Sequence, residues 1–364
     1  MTNMLKEHVN LIVCPDCKGH LEKIEIEKKI FGFYCKGCQI IFPLKDDTPI
    51  ILARDARNFD LEYSLVKNIE RKFSNNSFGE LQKSIKRTLD LLLTKKDVLT
   101  WEWEDEEFWT KKYAKENISE VKEKEKWRYN DRIWQREPLV KELIGRLSLK
   151  DKTILSIGCG EGQNFRFLLS NYCDEKSLYI ATDISFEALA LNRSRNTHKN
   201  SLYILCAADY EFPFLNNAVD VLCYFGILHH TKNKSDNIQK DKRLVRKNGY
   251  IIIAEAIERP TLPFWITKYR SESSAHEERI RKKNLLKRLG KDKGTEVVFA
   301  REQRTPFFTG MITLFRRAML CNRKLFRLVS YLDIITMTLG QMFPFLGGCE
   351  ILLLARVHSV NPKT

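Results

Sequence analysis

Two cysteine knuckles near the N-terminus constrain this chain more than any other feature. Cys14-Pro-Asp-Cys17 and Cys35-Lys-Gly-Cys38 are separated by 17 residues. Each Cys-x-x-Cys turn brings two thiolates to one side of the backbone, and two such turns complete a tetrahedral sulfur shell that suits zinc. Four thiolates leave no open position for a catalytic water, so the implied Zn(2+) is structural. Residues 23–30 and 31–34 can form a hairpin between the knuckles. A metal also stabilises a piece of about 50 residues whose own core would be marginal. The competing readings are unmetallated thiols, or two disulfides in an extracellular chain. The start MTNMLKEHVNLIVC holds no apolar run behind a basic stretch, so no secretory leader is expected and the chain reads as cytoplasmic.

The residues around the knuckles, CPDC, CKGC and then QIIFPLKDDTPIIL, resemble the small zinc-binding activator of tRNA, rRNA and release-factor methyltransferases. The resemblance covers roughly residues 8–53, and residues 1–53 are read as an activator-like domain. In that family the domain occurs either as a separate partner or fused in front of a methyltransferase. A methyltransferase further along the chain is what the resemblance implies.

Residues 54–150 read as a helical linker or cap. Phe78, Leu81, Ile85, Leu89 and Leu92 recur at helical spacing with lysines between them. An aromatic, acidic cluster follows from Trp101 to Trp109, and a second aromatic stripe holds Trp127, Tyr129 and Trp134. Such stripes are more often core than ligand platform.

From Asp151 the rhythm changes to short apolar runs separated by polar helical stretches, the pattern of an alternating α/β core over residues 151–257. Its first strand runs into Gly158, Gly160 and Gly162, a GxGxG spacing rather than the GxGxxG of dinucleotide binders. Glycines there let the backbone approach a ligand at a helix N-terminus. Leu178–Asp183 reads as a second strand ending in a carboxylate that can accept from ribose hydroxyls. A third strand, 202–207, leads to Asp209 and Tyr210. A fourth, Val219–Phe225, leads to His229 and His230, and a fifth covers 250–254.

This series resembles the class I S-adenosyl-L-methionine-dependent methyltransferases, especially the ubiquinone/menaquinone-biosynthesis enzymes and the wobble-uridine tRNA methyltransferases, over residues 153–257. The resemblance implies a Rossmann-like, seven-stranded α/β sheet. It also implies that Gly158, Gly160 and Gly162 hold the methionine part of the cofactor and Asp183 the ribose. Asp209 would accept from the adenine amino group, with Ile184 and Tyr210 flanking the ring, and Phe225 at the end of the fourth strand is a further cofactor-binding candidate. Where the family carries an acid two places before the first glycine, this chain has Ser156. Its hydroxyl can organise water near the cofactor's ammonium, but without charge.

Methyl transfer asks the protein to position an acceptor and, where needed, to remove its proton. His229 or His230 is the candidate base, because histidine titrates near neutral pH. Packing or capping is the bland alternative for both. The chain lacks the Asn/Asp-Pro-Pro-aromatic signature of amino-group methylation and any Pro-Cys pair for a pyrimidine-carbon route, so an oxygen acceptor is expected.

Charge narrows the acceptor. Residues 258–364 carry 20 basic and 9 acidic side chains, net +11 of the chain's +15. Residues 258–344 read as a basic helical insertion, a substrate lid, before the final strand and tail at 345–364. Arg316-Arg317 and Arg323-Lys324 lie near Phe307, Phe308 and Phe315. A local basic field draws anionic partners. The expected acceptor is an anionic small molecule, sugar or lipid-linked compound, with RNA as the alternative partner. Peripheral membrane contact is a further possibility. The uncharged run 334–349 is too short and too broken by Pro344 and glycines to span a bilayer, so no transmembrane segment is expected. A third class is a non-catalytic nucleotide-binding scaffold.

Overall fold

The computed structural model describes residues 3–73, 79–96, 140–232, 234–257, 281–291, 294–303 and 350–358, with isolated positions at 98, 103, 104, 107, 111, 324, 325, 328, 331, 332 and 335. Two sheets organise them.

The smaller sheet holds β1 (Glu22–Ile26), β2 (Lys29–Cys35), β3 (Ile40–Lys45) and β4 (Thr48–Pro49), paired antiparallel in chain order. Its first turn falls earlier than the sequence suggests. Glu27 and Lys28 take left-handed φ values of 49° and 67°, so the hairpin turns there rather than after residue 30. Two consecutive positive φ values match the right-handed twist of the flanking strands. Helices α2 (Phe59–Phe73) and α3 (Gly79–Leu93) follow α1 (Asn3–His8) in the chain and lie against this sheet. Leu81, Ile85, Leu89 and Leu92 are buried with Val66, Ile69, Phe73, Ile24 and Ile41, as the helical spacing requires. Thr88 Oγ1 accepts from the Ile41 amide at 2.9 Å and donates to Ser84 O at 2.7 Å. Arg57 and Glu62 form an ion pair of 2.6 Å with both side chains fully buried, and Arg57 also donates to Ile41 O at 2.8 Å.

The larger sheet comprises β5 (Thr153–Ile157), β6 (Leu178–Asp183), β7 (Ser201–Leu205), β8 (Val219–Phe225), β9 (Val245–Ala256), β10 (Thr295–Gln303) and β11 (Glu350–Val357). Their spatial order is β10-β11-β9-β8-β5-β6-β7. The five strands β5 to β9 pair in parallel, while β11 is antiparallel to both β9 and β10. Helix α4 (Phe186–Arg195) crosses from β6 to β7, α5 (Lys234–Asp241) from β8 to β9, and α6 (Lys282–Lys291) precedes β10. Parallel strands are covered on both faces, which explains their near-continuous apolar character.

Strand β10 corrects the reading of 258–344 as a helical insertion. Val297 and Phe299, on either side of an irregularity at Val298, pair with Ala355 and Leu354 of β11, which is buried from Ile351 to Ala355 and has a neighbour on each side. Helix α6 does lie within that stretch.

At the opposite edge, β7 is covered by the N-terminal module. Ile50 pairs in parallel with Leu205, and the Ile51 amide donates to Leu205 O at 2.9 Å. Arg193 donates to Asp46 O and Thr48 Oγ1, both at 2.6 Å. Leu5, Val9 and Ile12 share one apolar cluster with Leu202, Ile204 and Phe214. Inside the core, Tyr224 donates to the buried Asp241 at 2.8 Å; nearer the surface, Asp220 accepts from the Thr153 amide at 2.9 Å and from Arg246 at 2.7 Å. Asp220 therefore ties together the starts of β5, β8 and β9.

Candidate cofactor, metal and proton-transfer sites

The ligand atoms of Cys14, Cys17, Cys35 and Cys38 all lie within 4.8 Å of one another, with Sγ–Sγ distances of 3.8 Å for Cys14–Cys38 and 3.4 Å for Cys17–Cys35. Zinc–sulfur bonds of about 2.3 Å put the sulfurs of a tetrahedron about 3.8 Å apart, so the cluster fits the ion. Lys18 and Gln39, directly after each second cysteine, take left-handed φ of 59° and 55° and turn the chain back on itself. Backbone amides of Gly19 and Cys38 donate to Cys17 and Cys35 Sγ, each at 3.4 Å. Without a cation, burial pushes the Cys14 thiol up and the Cys38 thiol to about 12. A divalent ion at the centre supplies the charge that four thiolates need.

The second site lies at the carboxyl edge of the large sheet. Chain order reverses between β5 and β8, and the crevice at such a switch point is where open α/β sheets bind ligands. Gly158, Gly160 and Gly162 follow β5 with φ of 57°, 53° and 78°. At Gly158 an added Cβ would stand 2.4 Å from Ile227 Cγ1, and at Gly162 it would stand 2.2 Å from Asn192 Oδ1. The loop is thus held against both its neighbours. The Cys159 amide donates to Thr182 O at 2.9 Å, and Gly160 N donates to Asp183 Oδ2 at 2.8 Å. Asp183 Oδ1 accepts from Ser185 N at 3.0 Å. Desolvation raises the Asp183 pKa, and these two amides oppose the rise. Hydroxyl donors from a ribose would favour the ionised form in the same way.

Ser156 is buried in β5, where its carbonyl accepts from Thr182 Oγ1 at 3.0 Å. Ile184, Tyr210 and Phe225 are partly buried against one shared apolar cluster. Asp209 lies just past β7; its two oxygens accept from Lys232 N at 3.1 Å and one of them from Asn237 Nδ2 at 2.8 Å. The carboxylate thereby fastens the segment after β8 and the start of α5 to the β7 side. Cys159 and Cys223 are buried small residues whose thiols burial pushes up, as expected of packing cysteines.

The histidines occupy a single 3₁₀ turn, Leu228–His230, which follows a left-handed Gly226 with φ of 70°. Their rings lie 4.1 Å apart, centroid to centroid. His229 Nδ1 is 2.8 Å from Glu255 Oε2. The other oxygen, Oε1, accepts from Ile227 N at 2.7 Å and Leu228 N at 2.8 Å. Glu255 is fully buried near the end of β9, beside β8. Sequence reasoning assigned it no role. The signal is present as an acid closing the apolar run 250–254.

The aromatic cluster at 101–109 is described at Trp103, which is buried and donates from Nε1 to Ala56 O at 3.1 Å. Phe78, Trp127, Tyr129, Trp134, Phe307, Phe308, Phe315, Arg316, Arg317 and Arg323 lie outside the described residues. Among the described residues no helix is long and apolar enough to cross a membrane.

Comparison with known proteins gives two family matches. Residues 155–253 match the model described as a methyltransferase domain, and residues 6–47 match that of Trm112p-like protein. A UPF0434 protein of Dechloromonas aromatica is 45% identical over 49 residues, 14% of this chain and 79% of the relative. One from Nitrosococcus oceani is 34% identical over 59 residues, 16% of this chain and 95% of the relative. Among solved structures, Haemonchus contortus phosphoethanolamine N-methyltransferase 2 with S-adenosyl-L-methionine aligns at 16% identity and a TM-score of 0.46, covering 73% of this chain and 61% of that one. A complex containing the Haloferax volcanii Trm112 methyltransferase activator aligns at 14% identity and a TM-score of 0.43, covering 65% and 96%.

Proposed function

We propose that the chain is an S-adenosyl-L-methionine-dependent methyltransferase with a zinc-binding Trm112-like module in front of its catalytic sheet, and that it methylates an oxygen of an anionic small-molecule, sugar or lipid-linked acceptor. The observation that carries the reading is a histidine tethered to a buried carboxylate on the loop whose Ile227 packs against Gly158. A base there stands beside the crevice that the glycine loop borders.

In this reading Gly158, Gly160 and Gly162 hold the amino-acid part of the cofactor, Asp183 the ribose, and Ile184 and Tyr210 the faces of the adenine. Asp209 stands at its amino-group end, Phe225 closes the β8 side, and Ser156 organises water near the ammonium. The bound cofactor supplies an electrophilic methyl group. His229 takes the acceptor hydroxyl's proton and releases it to solvent, a contribution of about 10²–10⁴-fold in rate for a positioned base. His230 packs against its ring. The zinc-bound thiolates take no part in the chemistry; they hold the module that covers β7. A cytoplasmic setting goes with this reading, since a zinc–thiolate centre needs reduced cysteines.

The net charge of +11 over residues 258–364 supports an anionic acceptor. Leu328, Tyr331, Leu332 and Ile335, helical and between 40% and 59% exposed, follow the i, i+3, i+4, i+7 spacing of one helix face. They support an acceptor with an apolar part, presented at a membrane surface. The Trm112-like module favours a second reading, RNA methylation. The test is purified protein with cell extract and labelled cofactor, followed by separation of lipid, glycan and RNA fractions. Label in the lipid or glycan fraction supports the first reading. Label in RNA, with salt-sensitive RNA binding, replaces it with the second.

A further inference from the structure

A chain that only needed to fasten Ile227 N and Leu228 N could use one neutral oxygen from a glutamine or a carbonyl. Instead it places a carboxylate in full burial, which is costly unless both oxygens are well partnered. Oε1 takes both amides, so Oε2 is left entirely to His229 Nδ1 at 2.8 Å. A carboxylate has acceptors only, so the ring nitrogen in this contact is the donor. The side chain of His229 is 13% exposed and that of Glu255 is 0% exposed, so water competes little for the bond.

We propose that Glu255 is a positioning residue for proton transfer: its carboxylate selects the Nδ1–H tautomer of His229 and so makes Nε2 the basic atom of the ring. This rests on the methyltransferase reading above, which supplies the hydroxyl whose proton Nε2 takes. The same carboxylate fixes the turn that carries the ring, because the Ile227 and Leu228 amides share its other oxygen. It therefore sets both the orientation and the protonation pattern of the base. A glutamine in its place would keep the amide contacts through Oε1. Its Nε2 would then donate to His229 Nδ1, forcing the proton onto the far ring nitrogen and removing the base with little change of shape.

The chain has seven histidines, few enough for long-range ¹H–¹⁵N spectra of the full-length protein, with the His229 signals identified by their loss in His229→Asn. At a pH where the ring is neutral, the parent should show a protonated Nδ1 and an unprotonated Nε2, and Glu255→Gln should exchange them. An Nε2–H tautomer in the parent, or no exchange in a folded Glu255→Gln, would overturn the proposal. Should that variant fail to fold, the parent spectrum alone decides. Calorimetry with S-adenosyl-L-methionine runs alongside. Absent binding by the parent strikes at the methyltransferase reading and leaves the tautomer result standing on its own. Once an acceptor is in hand, Glu255→Gln should lower kcat about 10²–10⁴-fold with the cofactor's KM unchanged. A loss confined to KM would make Glu255 only a loop anchor.

Discussion

Asp241 ends α5 inside the core, fully buried, accepting from Tyr224 at 2.8 Å while its Oδ1 has no hydrogen-bond partner. Burial pushes its carboxyl from 3.8 up to about 7, against the opposing pull of Lys240 and Lys18. Below pH 3.8 the group is protonated in both folded and unfolded chains and costs nothing. Between 3.8 and 7 the unfolded chain gives up the proton and the folded chain keeps it, so stability falls as pH rises. Three units at about 1.4 kcal/mol each set the full loss at about 4 kcal/mol, constant above pH 7. Asp241→Asn removes the titration while keeping an oxygen to accept from Tyr224. In urea titrations at pH 5, 6, 7 and 8, the variant should therefore gain on the parent by about 2–3 kcal/mol between pH 5 and pH 7 and level off beyond. Any constant cost of the amide itself cancels in that difference, as do titrating groups that do not interact with Asp241; Lys18, whose pKa the Asp241 charge raises, adds a smaller change near pH 8. Parallel stability curves for the two proteins would refute the reasoning.

Three further outcomes are expected. Purified protein should carry one zinc per chain by atomic emission, and Cys35→Ser should lose it together with the chemical-shift dispersion of the β1–β4 residues. At Gly162, with φ of 78° and a buried amide 2.2 Å from the would-be Cβ, substitution by alanine should destabilise by at least the 1–3 kcal/mol of a strained backbone residue and abolish calorimetric cofactor binding. Arg57→Leu should cost about 3–5 kcal/mol by leaving Glu62 buried and unpaired, and adding Glu62→Leu should restore most of it in urea melts.

What could be read from the sequence follows the range of the interactions. The cysteine cluster, the glycine loop after β5 and the Asp183 carboxylate at the end of β6 lie within short stretches, so their placement could be read from residue order. Glu255 could not be found that way. It meets His229 only because β9 lies beside β8, a contact 26 residues apart in the chain and set by the crossover through α5. Asp209 shows the same limit: its partners Lys232 and Asn237 come from beyond β8. Strand β10 was hidden because it precedes the strand it pairs with by some fifty residues, in a stretch whose charge reads as helix surface. The turn between β1 and β2 was misplaced because two ordinary side chains, Glu27 and Lys28, take the left-handed backbone that glycine or asparagine usually signals.

The seam between Ile50–Ile51 and Leu205 makes the cysteine module a remote custodian of the edge strand that leads to the proposed adenine pocket. Stripped of its ion, the small module would let go of an outermost strand, and that strand runs straight into Asp209 and Tyr210. Starving such an enzyme of zinc would therefore silence it without touching a single reacting atom. Because module and sheet are one polypeptide, no dilution of a helper subunit could do the same.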